Sequence, residues 1–270
     1  MQAVRHFLLA VQFFTRIPVT GRCADWVGFS PAMLRASAAH FPGVGWIVAG
    51  VAVAVYALLQ ARLGPGPLAA LACAALSTAA TVLVTGGFHE DGLADVADGL
   101  GGSAQRERAL EIMKDSRIGA FGAMALVLAL AAKMALLALL GQKGGAVPAC
   151  ALAGAHVVSR CWPLLLVRTL PHVGDTATSK SKPLADRIAG RALLAAVAWT
   201  VPAVLLVLWV LGPVAALGAL CASALAAWVM RGWFARRLQG FTGDGLGATQ
   251  QVCEIAFYLG VALALGPSPA

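Results

Sequence analysis

The sequence predicts an all-α fold, a polytopic membrane bundle of about seven transmembrane helices forming a single domain over residues 1–270. Three features lead there. Apolar residues make up 60% of the 270 and charged residues only 12%, where a soluble domain carries about 25% charge. That is too little charge to cover a globule in water. Long stretches hold no charge at all, and most of the 20 Lys and Arg fall in alternate connections between those stretches.

Taken in order, the chain opens with Arg5 ahead of the apolar segment Phe7–Phe14. That segment is short for a signal peptide, and Thr15-Arg16-Ile17-Pro18 is no small-residue cleavage site. Phe7, Val11 and Phe14 share a helical face, so an interfacial helix is expected. Gly43–Ala61 supplies the first span. Leu63–Phe88, opened by Gly64-Pro65-Gly66-Pro67, supplies the second. Ile118–Leu140 is interrupted only by Lys133, and Ala146–Val167 only by His156 and Arg160. Ala192–Met230 holds 39 residues without a charge. As one helix it would run roughly 58 Å at 1.5 Å per residue, against a hydrocarbon core of about 30 Å. Gly212-Pro213 is therefore expected to divide it into two passes. Thr249–Leu265, with Glu254 near its start, is the last span.

The N-terminal segment and the loops 86–118, 168–191 and 231–248 together hold 16 of the 20 bases; the other connections hold 2, Arg62 and Lys143. The positive-inside rule places the first set in the cytoplasm, with the N-terminus inside and the C-terminus outside. The net charge of +8 is then mainly topology, and no nucleic-acid partner is expected. Six cysteines are scattered without a CxxC pair, so neither a zinc site nor a disulfide framework is expected.

The acids are distributed differently. Seven of the 12 lie between positions 90 and 115, the sharpest local anomaly in the chain. Asp91, Asp95 and Asp98 stand at i, i+4 and i+7, which places them within about a 60° arc of one helix face. Three like charges on one face repel unless a cation joins them. Short carboxylates of this kind suit Mg²⁺, or Mn²⁺ in its place, held by a few oxygens plus substrate phosphates. Glu107 and Glu111, beside Arg106, Arg108 and Lys114, read instead as a salt-bridged helix surface. Lys114, Asp115 and Arg117 alternate in sign just before a span, which suits a phosphate and its cation and equally a polar collar at the membrane interface.

Gly240-Phe-Thr-Gly-Asp-Gly-Leu-Gly-Ala-Thr-Gln-Gln251 is a glycine-rich loop opening a helix. Such loops present backbone N–H groups to anions, and Asp244 within it adds an oxygen ligand. Ionisable groups inside spans are costly and often functional. His156 and Arg160 share a face at i, i+4 and stand either for function or for a structural pairing with Glu254, while Lys133 has no evident partner.

Three segments together carry a resemblance. His89-Glu-Asp-Gly-Leu-Ala-Asp-Val-Ala-Asp-Gly-Leu-Gly-Gly102, Met113-Lys-Asp-Ser-Arg-Ile-Gly-Ala-Phe-Gly122 and Gly240–Gln251 resemble the signatures of the cobalamin synthase (adenosylcobinamide-GDP ribazoletransferase) family. Phe13-Phe14-Thr15-Arg16-Ile17-Pro18 and Ser181-Lys182-Pro183-Leu184 fit the same pattern, so the resemblance spans nearly the whole chain. It implies a multi-pass enzyme of a bacterial cytoplasmic (inner) membrane with its active site facing the cytoplasm. The implied reaction, dependent on Mg²⁺, joins adenosylcobinamide-GDP to α-ribazole or its 5′-phosphate and releases GMP. On this reading Asp91, Asp95 and Asp98 are metal ligands. Asp115 is a further ligand or the base that accepts the ribazole hydroxyl proton, with His89 as a competing base. Lys114, Arg117 and Arg160 neutralise phosphate oxygens, and Thr242 and Asp244 bind substrate. The oligomeric state is left open, a homo-oligomer included.

The acidic element is also similar to that of the CDP-alcohol phosphotransferases, although the full spacing of their signature is not met. A membrane phosphotransferase of that type is therefore one alternative. From a different class, a secondary transporter would use Lys133, His156, Arg160 and Glu254 as pathway residues.

Overall fold

The computed structural model describes residues 1–174 and 188–267. The Ser181–Leu184 motif lies outside the described residues. Helices α1 (Gln2–Phe14), α2 (Gly21–Val27) and α3 (Pro31–Ser37) precede the first long helix, α4 (Phe41–Leu63). There follow α5 (Pro67–Thr85), α6 (Phe88–Gly102), α7 (Arg106–Ile112), α8 (Ala120–Gly141), α9 (Ala146–Val158) and α10 (Trp162–Thr169). The chain closes with α11 (Gly190–Arg237) and α12 (Gly243–Leu265).

Among the described residues, six helical stretches are long and apolar enough to cross a membrane. One of them, α11, runs for 48 residues and contains a non-helical Gly212 with φ 83° and ψ 170°. A positive φ of this kind suits glycine, and the chain doubles back there. Trp199 in the first half donates its indole N–H to His40 at the start of α4. Ser223 in the second half donates to the Cys253 carbonyl of α12, and Gly218 meets Gly260 backbone to backbone near the other end of that helix. The two halves are thus separate passes, as the length argument requires, which brings the six stretches to seven passes among the described residues. The span expected at 146–167 is itself broken, with α9 ending at Val158 and α10 restarting at Trp162 with Pro163 in its first turn.

Outward faces carry Leu68, Leu83, Val127, Leu128, Trp209, Leu217, Trp228 and Leu263, large apolar side chains with no place on a soluble surface. Inside, small residues let helices approach, as Gly45 does against the His156 backbone. Helix α1 is more than an interfacial strip. Its face packs inward, with Phe14 stacked on Phe41 at 4.2 Å and Phe7 stacked on Trp199 at 5.5 Å between ring centres.

The described parts of the connections predicted to share one side gather at one end of the bundle. Arg16 donates its backbone N–H to Val84 at the end of α5. Arg237, closing α11, donates to the Leu100 and Ser103 carbonyls at the end of α6. Arg231 donates to Thr169 at the end of α10. This end carries the site.

Candidate active site

The turn that launches the site is built by two glycines. Gly86 and Gly87 both adopt left-handed backbone, φ 70° and 69°, ending α5 and starting α6 with no linker. The stretch 86–118, expected as a loop, is thereby two helices, α6 and α7, joined by a short turn. On α6 the interval of three and four residues does what the spacing promised. Asp91, Asp95 and Asp98 share a face, and that face meets the first turn of α12. Gly92 makes the approach possible, since a Cβ there would stand 2.7 Å from the Asp244 carbonyl oxygen. Asp244 thus joins the aspartates of α6.

The four carboxylates are not equivalent. Asp91 is exposed and Asp95 and Asp244 are part-buried. Among the described residues, no ion pair ties any of these three to a cationic side chain. Burial, then the fields of Asp244, Asp91 and Asp98, push the Asp95 carboxyl up to about 7. Asp98 is buried and committed: its two oxygens accept the backbone N–H groups of Gly119 and Gly122 at 2.7 and 2.8 Å. It occupies the anion seat at the N-terminus of α8. A Cβ at either glycine would collide with it.

Asp98 also lines an open cleft of about 1240 Å³ counting its mouth, together with Arg108, Asp115 and Arg117. Arg117 grips Asp115 with two N–H groups, Nη2 to Oδ2 at 2.6 Å and Nε to Oδ1 at 3.0 Å. These hydrogen bonds hold the Asp115 carboxyl down to about 2. Lys114 is exposed beside them. Glu107 and Glu111 pair with Arg106 and Arg108, as expected of a helix surface. Thr242 is the N-cap of α12, its hydroxyl oxygen accepting from the Gly245 N–H at 3.1 Å. The glycine-rich segment is thus the helix's own capped first turn.

Two other sequence candidates lie deeper. Arg160 is 2% exposed and stays out of the cleft. Its Nη1 donates to the His156 carbonyl at 2.7 Å and its guanidinium lies over Phe41. Around it runs a polar network that pattern reading finds in part. Lys133 pairs with Glu254 at 2.6 Å, and Gln250 and Tyr258 donate to the same carboxylate at 2.7 and 3.1 Å. Gln251 donates to Glu90 at 3.0 Å. The sequence singles out Lys133, His156, Arg160 and Glu254 as ionisable groups inside spans and offers a structural pairing with Glu254, which His156 makes at 3.4 Å. The helical spacing of Gln250, Glu254 and Tyr258 on α12 is a further signal. The residues that a transporter would need as a pathway are closed against one another. His89 is 1% exposed and stacks on Phe41 at 5.6 Å, and among the described residues neither ring nitrogen has a hydrogen-bond partner. Burial holds its pKa well below the usual histidine value.

Among the described residues, no three His, Cys, Asp or Glu side chains form a ready-made metal cage. Asp91, Asp95 and Asp244 carry oxygen donors only, and burial, then neighbouring carboxylates, raise one of them toward neutrality. That donor set fits Mg²⁺, which is commonly held by one or two carboxylates plus substrate phosphates. A cation there would offset the repulsion.

Fold and site define a polytopic membrane protein whose polar end combines carboxylates that have no ion pair among the described residues with a cleft bearing both signs of charge. The chain belongs to the cobalamin-5-phosphate synthase family, whose sequence model matches residues 6–262. It is 60% identical to the adenosylcobinamide-GDP ribazoletransferase of Polaromonas naphthalenivorans (strain CJ2), over 98% of this chain and 100% of that one. The protein of that name from Leptothrix cholodnii is 49% identical over 95% of this chain and 94% of its own length. The one from Vibrio cholerae serotype O1 (strain ATCC 39541 / Classical Ogawa 395 / O395) is 39% identical over 94% and 91%. No solved structure matches. The chain is thus a multi-pass membrane transferase of cobalamin biosynthesis.

Proposed function

We propose that the polar end of the bundle catalyses the Mg²⁺-dependent transfer that joins adenosylcobinamide-GDP to α-ribazole, or its 5′-phosphate, with release of GMP. The observation that carries this reading is the convergence of Asp91, Asp95 and Asp244 with no ion pair among the described residues, on the helix whose Asp98 lines an open cleft of about 1240 Å³ counting its mouth. The relatives' shared name supports the choice of substrates. The positive-inside distribution supports a cytoplasmic site in a bacterial inner membrane, because the bases sort to the loops of this end.

The transfer forms a bond from a ribazole hydroxyl oxygen to the cobinamide-bearing phosphorus and breaks the bond from that phosphorus to the GMP phosphate. Positioning and charge neutralisation dominate such chemistry. Asp91, Asp95 and Asp244 would hold Mg²⁺, which supplies charge neutralisation on the diphosphate. Asp98 fixes α6 against α8 and so sets where the other carboxylates stand. Arg117, oriented by Asp115 and 87% exposed at its side chain, turns its remaining N–H groups toward phosphate oxygens, with Lys114 beside it. Asp95, whose carboxyl stands near 7 before a cation binds, would give up its proton as Mg²⁺ binds, and the ribazole hydroxyl proton passes to water at the open cleft. Asp115, held near 2 by Arg117, serves better as an orienting group.

The test is direct. Purified protein in detergent, given Mg²⁺, adenosylcobinamide-GDP and α-ribazole, is expected to release GMP in step with formation of the joined corrinoid. Omission of the divalent cation should stop both. Absence of GMP release with all components present would overturn the reading, and release that persists in excess chelator would remove the metal from it.

A further inference from the structure

Beside the carboxylates lies a second cavity of different chemistry. It measures about 530 Å³ counting its mouth and is walled by Phe13, Phe14, Phe41, Phe88 and Leu246, with His89 the polar side chain at its wall. The rings form one cluster: Phe14 stacks on Phe41, Phe88 stands edge-on to Phe13 and Phe14, and His89 is edge-on to Phe88. The cavity opens where α6 and α12 begin, since Phe88 and Gly243 line it while Asp91 and Asp244 stand within a turn of them. His89 stands in the wall between this cavity and the polar cluster of Lys133, Arg160 and Glu254. It is 1% exposed, and its ring nitrogens, which have no hydrogen-bond partner among the described residues, reach the cavity only when the ring turns. A buried polar group left without a partner is costly, so an occupant that satisfies it is favoured.

We infer that this aromatic cavity seats the benzimidazole base of the acceptor nucleoside, with His89 donating to the base's free ring nitrogen. The inference rests on the reaction proposed above and adds to it the place of one substrate. Three parts of the two substrates compete for the cavity. A corrin macrocycle is too large for it. Guanine carries donors and acceptors on several edges, and a wall with one polar side chain would leave most of them unpaired. Benzimidazole is flat, mostly apolar and bears a single unsubstituted ring nitrogen. Base stacking on aromatic side chains is a general means of holding nucleosides. Imidazole carries at least one N–H in every protonation state, so the contact does not depend on how His89 titrates. A lipid acyl chain, the other apolar molecule at hand, would leave the histidine unsatisfied.

The experiment follows GMP release by the full-length protein in detergent with Mg²⁺, varying one substrate at saturation of the other. Phe88→Ala, at a partly exposed position, is expected to raise the KM for α-ribazole about tenfold or more. The KM for adenosylcobinamide-GDP should stay within about twofold. The second arm compares α-ribazole with its indole counterpart, which lacks the free ring nitrogen. The wild-type protein should bind the indole nucleoside more weakly by equilibrium dialysis, whereas His89→Leu should bind the two alike. An unchanged ribazole KM in Phe88→Ala, a parallel rise for both substrates, or equal discrimination by wild type and His89→Leu overturns the inference. Displacement of ribazole by lipid with no effect of ring nitrogen would assign the cavity to an acyl chain. Dialysis reads the subsite without turnover, so a protein that binds α-ribazole as described but releases no GMP would refute the proposed reaction and leave the subsite standing.

Discussion

Glu90 and Asp91 are neighbours on α6, yet they face different surroundings. Glu90 is 9% exposed and accepts a hydrogen bond from Gln251. It belongs to a buried region in which Lys133 and Arg160 stand near Glu254 and Glu90, two charges of each sign. Asp91 turns the other way, to a region where it meets Asp95 and Asp244 with no cation among the described side chains. The buried region binds helices α6, α8, α9 and α12 together through paired charges, although Glu90 Oε2, Arg160 Nε and His156 Nε2 have no hydrogen-bond partner among the described residues. The outer region is electrostatically incomplete and stays so at a cost in folding. Charge that is paired inside the bundle supports structure; charge left unbalanced at its end awaits a cation and a phosphate. Asp98 stands between the two, at the edge of the cleft but tied to the N-terminus of α8.

This contrast can be broken by substitution, first where the effect should be greatest. Glu254→Gln would leave Lys133 buried and uncompensated, and breaking a buried ion pair from one side costs about 3–5 kcal/mol. Thermal unfolding in detergent should fall steeply. Adding Lys133→Met to it should recover part of the loss, and a double variant as unstable as the single one would contradict the pairing. Asp98→Asn removes charge and one acceptor from two backbone donors at the start of α8. It should cost about 1–3 kcal/mol, with hydrogen exchange quickening around Gly119–Gly122. Unchanged protection there would free Asp98 for a purely metal-binding role.

A smaller effect should appear as a dependence on pH. Asp95 titrates near 7 in the folded protein against an ordinary 3.8. A carboxyl raised in this way makes the metal-free fold lose stability as pH rises from about 4 through 7, because the folded state retains a proton that the unfolded chain has lost. Mg²⁺ competes with that proton. The gain in melting temperature on adding Mg²⁺ should therefore be largest above about pH 7 and fade toward pH 5. A gain independent of pH would detach the metal from Asp95. Smallest of all, Arg117→Gln should change stability by no more than about 1 kcal/mol, as exposed pairs do, while lowering turnover. Full activity in that variant would return Arg117 to the membrane collar.

Much of the fold was legible because bilayer thickness limits helix length. Charge-free runs gave the spans, and a run of 39 residues without charge had to be divided, which Gly212 does. The acidic face was legible because residues at i, i+4 and i+7 share one side of a helix whatever surrounds it. Partners across helices were legible only in part: a pairing of His156 and Arg160 with Glu254 was one expectation, and His156 does stand 3.4 Å from Glu254. Lys133 and Glu254 are far apart in the chain, and no spacing connects them. The same limit hid the attachment of Asp98 to α8, and it left Arg160 open as a phosphate ligand when it is buried over Phe41. Thr242 was read as a substrate ligand, and its position before Gly243–Gly245 suits a helix cap equally well. The cavity beside His89 draws on Phe13, Phe41 and Leu246 from three separate helices, so no local motif announced it.

On the proposed reaction, the unbalanced carboxylates, rather than the paired buried network, do the chemistry. The most direct measurement compares Mg²⁺-dependent GMP release with thermal unfolding in Asp91→Asn and Asp95→Asn. Removing like charge from a repelling set should leave the melting temperature of the metal-free protein unchanged or raised. Turnover should fall by about 10²-fold or more, the scale on which losing one group that stabilises transition-state charge is felt. Variants that unfold early, or that release GMP at the wild-type rate, would contradict the account.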